Sequence, residues 1–409
     1  GDFIHTLGSV DAGNSTVIFA APISELQTIT SNISLPIYYN NLTICGFGLS
    51  TQQLINPVFV NDLLAFDMRG ETKNKVNGGP IHSYGDIAML HDSFGTASDG
   101  PGDTYILVEG TADQTIYGNA SGHFPEIRIL KQPGSLFLDG TIYTASDWYE
   151  NNDPSVTTDP QESTVVFWAC ASDNFIIDTA TMHFNNAMFY GYNASTHTLN
   201  KPITLEGDLT FNMTSGNNAL INGEAVNVWG NIYMNSANWG TGPNTPGTST
   251  ININGQGSQT LYGNTLGVFP NITINKLAGE LLLSGQIVVS GNWNNYAVPV
   301  LSPQDSRVVF LGVSNKTQII REPQGLNNVD IVGNNNSIHS IDTELWVLGN
   351  LLFRTVTNAV SGNSINGGTI FSEGDVKTLD DGLTGSAVIS FVGDKTQVCN
   401  ASEETRSGS

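Results

Sequence analysis

One stretch of this chain is written twice. Gln114–Trp148 (QTIYGNASGHFPEIRILKQPGSLFLDGTIYTASDW) aligns without a gap to Gln259–Trp293 (QTLYGNTLGVFPNITINKLAGELLLSGQIVVSGNW) over 35 residues. Tyr, Gly-Asn, Phe-Pro and the closing Trp fall at equal positions. Val76–Met89 and Ile221–Met234 match at the same spacing of 145, and Ile365–Val376 repeats them 144 residues further on. STVVF at Ser163 returns as SRVVF at Ser306. The unit is about 145 residues long and is present in about 2.8 copies. Such a chain is built either as stacked copies of one structural plan or as a row of like domains.

Within the unit, apolar and polar residues alternate in short runs interrupted by Gly-Asp or Gly-Asn. Examples are LFLDGTI (Leu136–Ile142), LLLSGQIVV (Leu281–Val289), LEGDLTF (Leu205–Phe211) and VLGNLLF (Val347–Phe353). Period-two alternation with a glycine bend predicts two short half-buried strands meeting at a corner. The weak helical candidate, Leu54–Arg69, falls on another such strand pair in the repeat. The chain holds 44 Gly and 44 Asn, residues that tolerate the positive φ of tight corners. The predicted fold is all-β, a β-solenoid or stacked β-arch array; tandem β-sandwiches are the alternative. The boundaries are an N-terminal segment 1–14, repeats 15–162 and 163–305, a partial repeat 306–400 and a tail 401–409, with the repeats forming one continuous structural domain.

Charge narrows the function classes. The formal net charge is -23, with 37 acidic residues against 14 Lys plus Arg. Nucleic-acid binding needs a basic patch that this balance does not supply. No apolar run reaches the length of a membrane span. The Gly start and the abundance of Asn, Ser and Thr suggest a processed, exported chain on the cell-envelope surface.

A solenoid without capping helices leaves strand edges unpaired, a template for another copy. Head-to-tail pairing of unlike ends gives filaments or rings. The expectation is a structural, self-assembling homopolymer with head-to-tail and lateral contacts. An adhesin or polysaccharide-binding surface protein of the same fold is the second expectation, with cell-surface glycans as partners. The series STVIF, QTI and YYNNLTI followed by LEGDLTF resembles the repeats of secreted microbial β-solenoid surface proteins. Size, acidity and Gly/Asn richness are similar to those of the sheath-forming proteins of filamentous methanogenic archaea. That resemblance implies an amyloid-like β stack assembled into a sheath, S-layer or fibril around a cell.

Several residues are candidate sites. Cys45, Cys170 and Cys399 are either buried apolar thiols or partners in disulfides between subunits. Ten Asn-x-Ser/Thr sequons stand at Asn14, Asn32, Asn41, Asn119, Asn193, Asn212, Asn271, Asn315, Asn335 and Asn400, the acceptor sites of a glycoprotein. Asp92, Asp99 and Asp103 share a Gly-rich loop and are candidates for calcium or another divalent cation, without matching an EF-hand. No other cofactor is expected. Trp148, Tyr149, Trp239 and Trp293 are aromatics able to stack on sugars, although Trp148 and Trp293 recur in repeat register, as core residues do. Asp380-Asp381 is an adjacent acidic pair in a turn-like stretch, no histidine pair has zinc spacing, and no nucleophile or phosphate-loop motif occurs, so no enzyme activity is expected.

Overall fold

A computed structural model describes residues 1–401, apart from 8–9, 69–73, 97–99, 152–155, 170–173, 180–181, 214–215, 217, 242–246, 265, 297–300, 357–361 and 380–382. The described residues form strands and no helix. The chain divides into two compact units, Gly1–Gly207 and Asp208–Ser409. Each is a β-solenoid of parallel sheets. Parallel neighbours need a long connection between them; here each connection is itself the rest of a coil.

In the first unit one face runs through Thr16–Ala21, Asn41–Gly46, Leu63–Met68, Asp86–Met89, Gln114–Gly118 and the start of Leu136–Thr144 to Thr158–Asp159. A second face stacks Val58–Val60, Ile81–Ser83, Tyr105–Val108, Glu126–Ile129, Trp148–Glu150 and Asn174–Asp178. A third stacks Leu26–Thr30, Thr51–Leu54 and Lys75–Gly78. Partners along a face lie 21 to 29 residues apart, for example Tyr105 with Glu126 and Ile87 with Ile116. One coil is therefore three short strands and their corners.

The sequence repeat and the coil do not share a period. Thr164–Trp168 repeats the sequence of Thr16–Ala21. It pairs with Thr141–Thr144 on the neighbouring face, whereas Thr158–Asp159, six steps down the first face from Thr16, continues the original one. Each repeat thus spans six coils plus one face. The second unit does the same: Leu281–Val289 pairs through its first half with Leu301–Ser302 and through its second half with Arg307–Leu311. The shift is tolerated because all three faces carry the same apolar-in, polar-out alternation.

The bend in these long strands sits on glycine. Gly140 and Gly285 have φ of 74° and 72°. A Cβ on Gly140 would stand 2.7 Å from the Gly118 carbonyl oxygen of the previous coil. The LDG and LSG corners are thus fixed by both backbone conformation and stacking distance.

The interior is a stack of Ile, Val, Leu and Phe, with Trp148, Trp239 and Trp293 fully buried. Full burial of one such aliphatic or Phe side chain contributes about 1.5–3 kcal/mol. Trp148 and Trp293 pack the core, as their repeat register suggests, and the expectation that Trp239 stacks on sugars is corrected: all three are 0% exposed. Trp148 pairs with Ile127 and Trp293 with Ile272 in inward register, so their large apolar rings fill the coil.

The recurrent glutamine is a clamp between coils. Gln114 Nε2 donates to the carbonyls of Ser83 and Gly85 at 3.1 and 2.7 Å, while Asp86 Oδ1 accepts from the Thr115 amide at 2.8 Å. Gln259 does the same to Val228 and Gly230, with Asn231 receiving the Thr260 amide. Gln318 and Gln397 repeat it with Asn292 and Asp375 as the acceptors. A Gly-Asp or Gly-Asn corner and a later Gln thus satisfy backbone groups that a bend leaves without ladder partners. Buried Lys131 and Lys276 extend two of these clamps, donating to Gln114 Oε1 at 2.6 Å and to Gln259 Oε1 at 2.8 Å.

Candidate functional site: an outward groove of the first unit

The second face of the first unit carries its inward residues in register: Ile106 with Ile127, Val108 with Ile129, and Ile127 with Trp148. The residues between them point outward. Leu107 pairs with His82 and with Arg128, and Arg128 with Tyr149. Tyr38 and Phe59 extend this row, their rings 5.0 Å apart, and Phe59 stacks on His82 at 4.6 Å. Leu107 interrupts the line of rings. A surface groove of about 420 Å³ opens there, lined by Tyr105, Leu107, Arg128, Leu130, Tyr149 and Asn151 among others. A neighbouring groove of about 620 Å³ shares Leu130 and Asn151 and reaches Tyr84 and Glu109.

Arg128 is the hub. Its guanidinium lies 3.9 Å from the Tyr105 ring centroid and 5.7 Å from that of Tyr149, and its Nε donates to Glu126. Burial alone would lower its affinity for the proton; the Glu126 carboxylate and the two tyrosines outweigh that and raise its pKa. The cation thus rests on the Tyr105 ring with one edge on a carboxylate, and its side chain remains 40% exposed.

Carboxylates fix the polar groups beside the groove. Asp147 Oδ2 accepts from the Tyr149 hydroxyl at 2.9 Å and Oδ1 from the Ile176 amide at 2.7 Å. Burial, then the Asp147 hydrogen bond, pushes the Tyr149 hydroxyl up to about 12. Glu109 Oε2 lies 2.8 Å from His82 Nδ1, a contact that places the proton on Nδ1. Burial, then Glu109, raises Tyr84 as well. Leu107 and Leu130 give the groove apolar lining, and Leu130 is shared with the neighbouring groove that Glu109 lines.

The repeat shows which of these residues the scaffold requires. Moving on 145 residues, Ile106, Val108, Ile127, Ile129 and Trp148 become Ile251, Ile253, Ile272, Ile274 and Trp293. The outward set changes altogether: Tyr105, Leu107, Glu109, Glu126, Arg128, Asp147 and Tyr149 become Thr250, Asn252, Asn254, Asn271, Thr273, Asn292 and Asn294. In the second unit Asn252 Nδ2 donates to Asn227 Oδ1 at 2.9 Å, an amide ladder on the coil surface. At the margin Trp229 stands in the place of Tyr84, and Tyr296, with the Arg321 guanidinium 4.7 Å from its ring centroid, in the place of Asn151. Of the groove residues, sequence reasoning singled out Tyr149 alone; a position-by-position difference between the two repeats is the signal that finds the others.

The remaining candidates fall elsewhere. Cys45 is 1% exposed inside a coil, Cys399 is exposed, and the two are not bonded to each other. Cys170 lies outside the described residues, as do Asp99 and the Asp380-Asp381 pair. Asp92 Oδ1 accepts from the Ser121 amide and hydroxyl, and Asp103 Oδ1 from the Gly78 amide, so both shape cross-coil contacts. Among the described residues no group of three His, Cys, Asp or Glu is placed to hold a metal. The sequon residues Asn14, Asn119, Asn315 and Asn400 are exposed; Asn32, Asn41, Asn193, Asn212, Asn271 and Asn335 are half-buried. Asn271 Nδ2, the atom a glycan would occupy, donates to the Thr248 and Ser249 carbonyls. Comparison with family models, curated proteins and solved structures finds no match to this chain.

Proposed function

We propose that this chain is a surface β-solenoid outside the cell that binds a polysaccharide in the outward groove of its first unit. The observation that carries the reading is the exchange between repeats. The inward residues keep their apolar character, while the outward ones go from Tyr, Leu, Arg and carboxylates to Asn and Thr. A scaffold alone gives no reason for that difference. Apolar floors beside tyrosines and fixed carboxylates suit sugars, which present both C–H faces and hydroxyl edges. Retention on a panel of immobilised polysaccharides tests it. The expected result is retention by at least one polymer, with Arg128→Thr and Tyr149→Asn each weakening affinity by about tenfold, the effect of about 1.4 kcal/mol. Equal retention of the variants, or retention on nothing, contradicts the reading.

A second reading, a self-assembling subunit of a surface layer or sheath, is favoured by the Asn227–Asn252 ladder of the second unit. In-register amides on parallel coils suit lateral packing against like surfaces. Electron microscopy of the purified chain should then show ordered assemblies, and uniformly dispersed particles over a range of concentrations would exclude it. Loss of order on adding thiol reductant would add a disulfide through exposed Cys399, whereas Cys45 could bond only if its coil opened.

A further inference from the structure

We infer that the groove selects a sugar chain without anionic groups and that Arg128 is its specificity-determining residue, acting as a plane rather than as a charge. The inference rests on the polysaccharide-binding reading above and adds the ligand's chemical class.

A lone arginine in a groove ordinarily suggests a carboxylate, sulfate or phosphate ligand. Here that role is met in part from within: Glu126 accepts from Arg128 Nε and the Tyr105 ring lies 3.9 Å from the guanidinium, while the side chain stays 40% exposed. The charges nearby are three carboxylates, Glu109, Glu126 and Asp147, against Arg128, the buried Lys131 whose Nζ donates to the Ala112 carbonyl at the groove's edge, and a histidine, His82, already bonded to Glu109. The wider field has the same sign, because the chain carries a net charge of -23. A polyanion would approach against that field and meet the Glu109 carboxylate in the neighbouring groove. Sugar hydroxyls are donors, and Glu109 stands in the groove that shares Leu130, where a ring would lie. Arg128 fixes how the tyrosines stand, a role that needs a delocalised plane and that lysine cannot fill.

The test uses the whole chain and three neutral polymers, a β-glucan, a mannan and a galactan, each beside its carboxymethylated derivative. Affinity electrophoresis at low and moderate salt reads binding. The expected result is retardation by at least one neutral polymer and at least about tenfold weaker binding of its carboxymethylated form, the gap narrowing as salt screens the field. Arg128→Lys should lose binding to the neutral polymer as fully as Arg128→Thr, at unchanged melting temperature. Equal or tighter binding of a carboxymethylated polymer overturns the inference and leaves the polysaccharide reading standing, as does full activity of Arg128→Lys. Retardation by no polymer in either series overturns both.

Discussion

The outward surface over Tyr105–Tyr149 and its counterpart over Thr250–Asn294 are built on the same inward residues and carry opposite chemistries. Beneath both lie isoleucines, a Val or Ile, and a tryptophan with no exposure. Above the first are three carboxylates, an arginine resting on the Tyr105 ring, and a leucine floor. Above the second are asparagines and threonines, two of the asparagines bonded to each other across coils. A solenoid separates the two demands: side chains alternate inward and outward along each strand, so stability and surface can vary independently. The inward set is held by packing against coils on either side. The outward set is open to whatever the surface has to meet.

If that separation holds, inward substitutions should cost the same in both regions. Trp148→Ala and Trp293→Ala should each destabilise by about 3–5 kcal/mol, the usual loss for a large buried ring. Denaturant titration of each variant checks this. A cost under about 1 kcal/mol in either would show that the two interiors are not equivalent. The lysine clamps should be next in size. Lys131→Met and Lys276→Met each leave a buried glutamine oxygen short of a donor, and about 1–3 kcal/mol should be lost. Since Lys131 also donates to the Ala112 carbonyl at the groove's edge, its variant should weaken binding as well; Lys276→Met should not.

A buried acid distinguishes the regions in the opposite direction. Glu322 in the second unit is 0% exposed and accepts from Trp293 Nε1 at 2.9 Å, from Asn295 and from the Gln324 amide. Burial outweighs these donors and raises its pKa above the ordinary glutamate value. The folded state therefore holds the proton more tightly than the unfolded one. The stability this contributes is complete below the unfolded value and is lost as pH rises through the folded one. Thermal unfolding from acid to neutral pH should show the wild-type midpoint falling relative to Glu322→Gln, which cannot ionise. Parallel curves would contradict the assignment. In the first unit the Glu is at the place of Asn295 instead: Glu150, 3% exposed, accepts from the Met182 amide.

Much of the scaffold was legible in the sequence, and the groove was not. LFLDGTI and LLLSGQIVV read as bent strand pairs because Gly140 and Gly285 need both a positive φ and room against the next coil. The 145-residue period was equally plain, but not its six coils and one face, since alternation looks the same on every face. Gln114 and Gln259 were visible as repeats without a reason; their hydrogen bonds reach back 29 to 31 residues, beyond any local pattern. Repeat register marks Trp148 and Trp293 as core, whereas Trp239 carries no such signal, because a tryptophan's burial depends on which way its strand faces. Glu109, Glu126 and Arg128 looked like ordinary outward polar residues. What joins them is stacking of successive coils, about 4.8 Å apart, which no single strand contains.

The smallest effect on stability should come from the change with the largest effect on binding. Leu107→Asn, Arg128→Thr and Tyr149→Asn together give the first row the residues the second already carries at Asn252, Thr273 and Asn294, so the fold should accept them within about 0.5 kcal/mol per site. The direct test is calorimetric titration of this triple variant and the wild type with the tightest-binding neutral polysaccharide, beside their melting curves. The account predicts coincident melting and binding lost by at least about a hundredfold, more than about 2.7 kcal/mol. Undiminished binding at unchanged stability would contradict it and return the outward row to being surface alone.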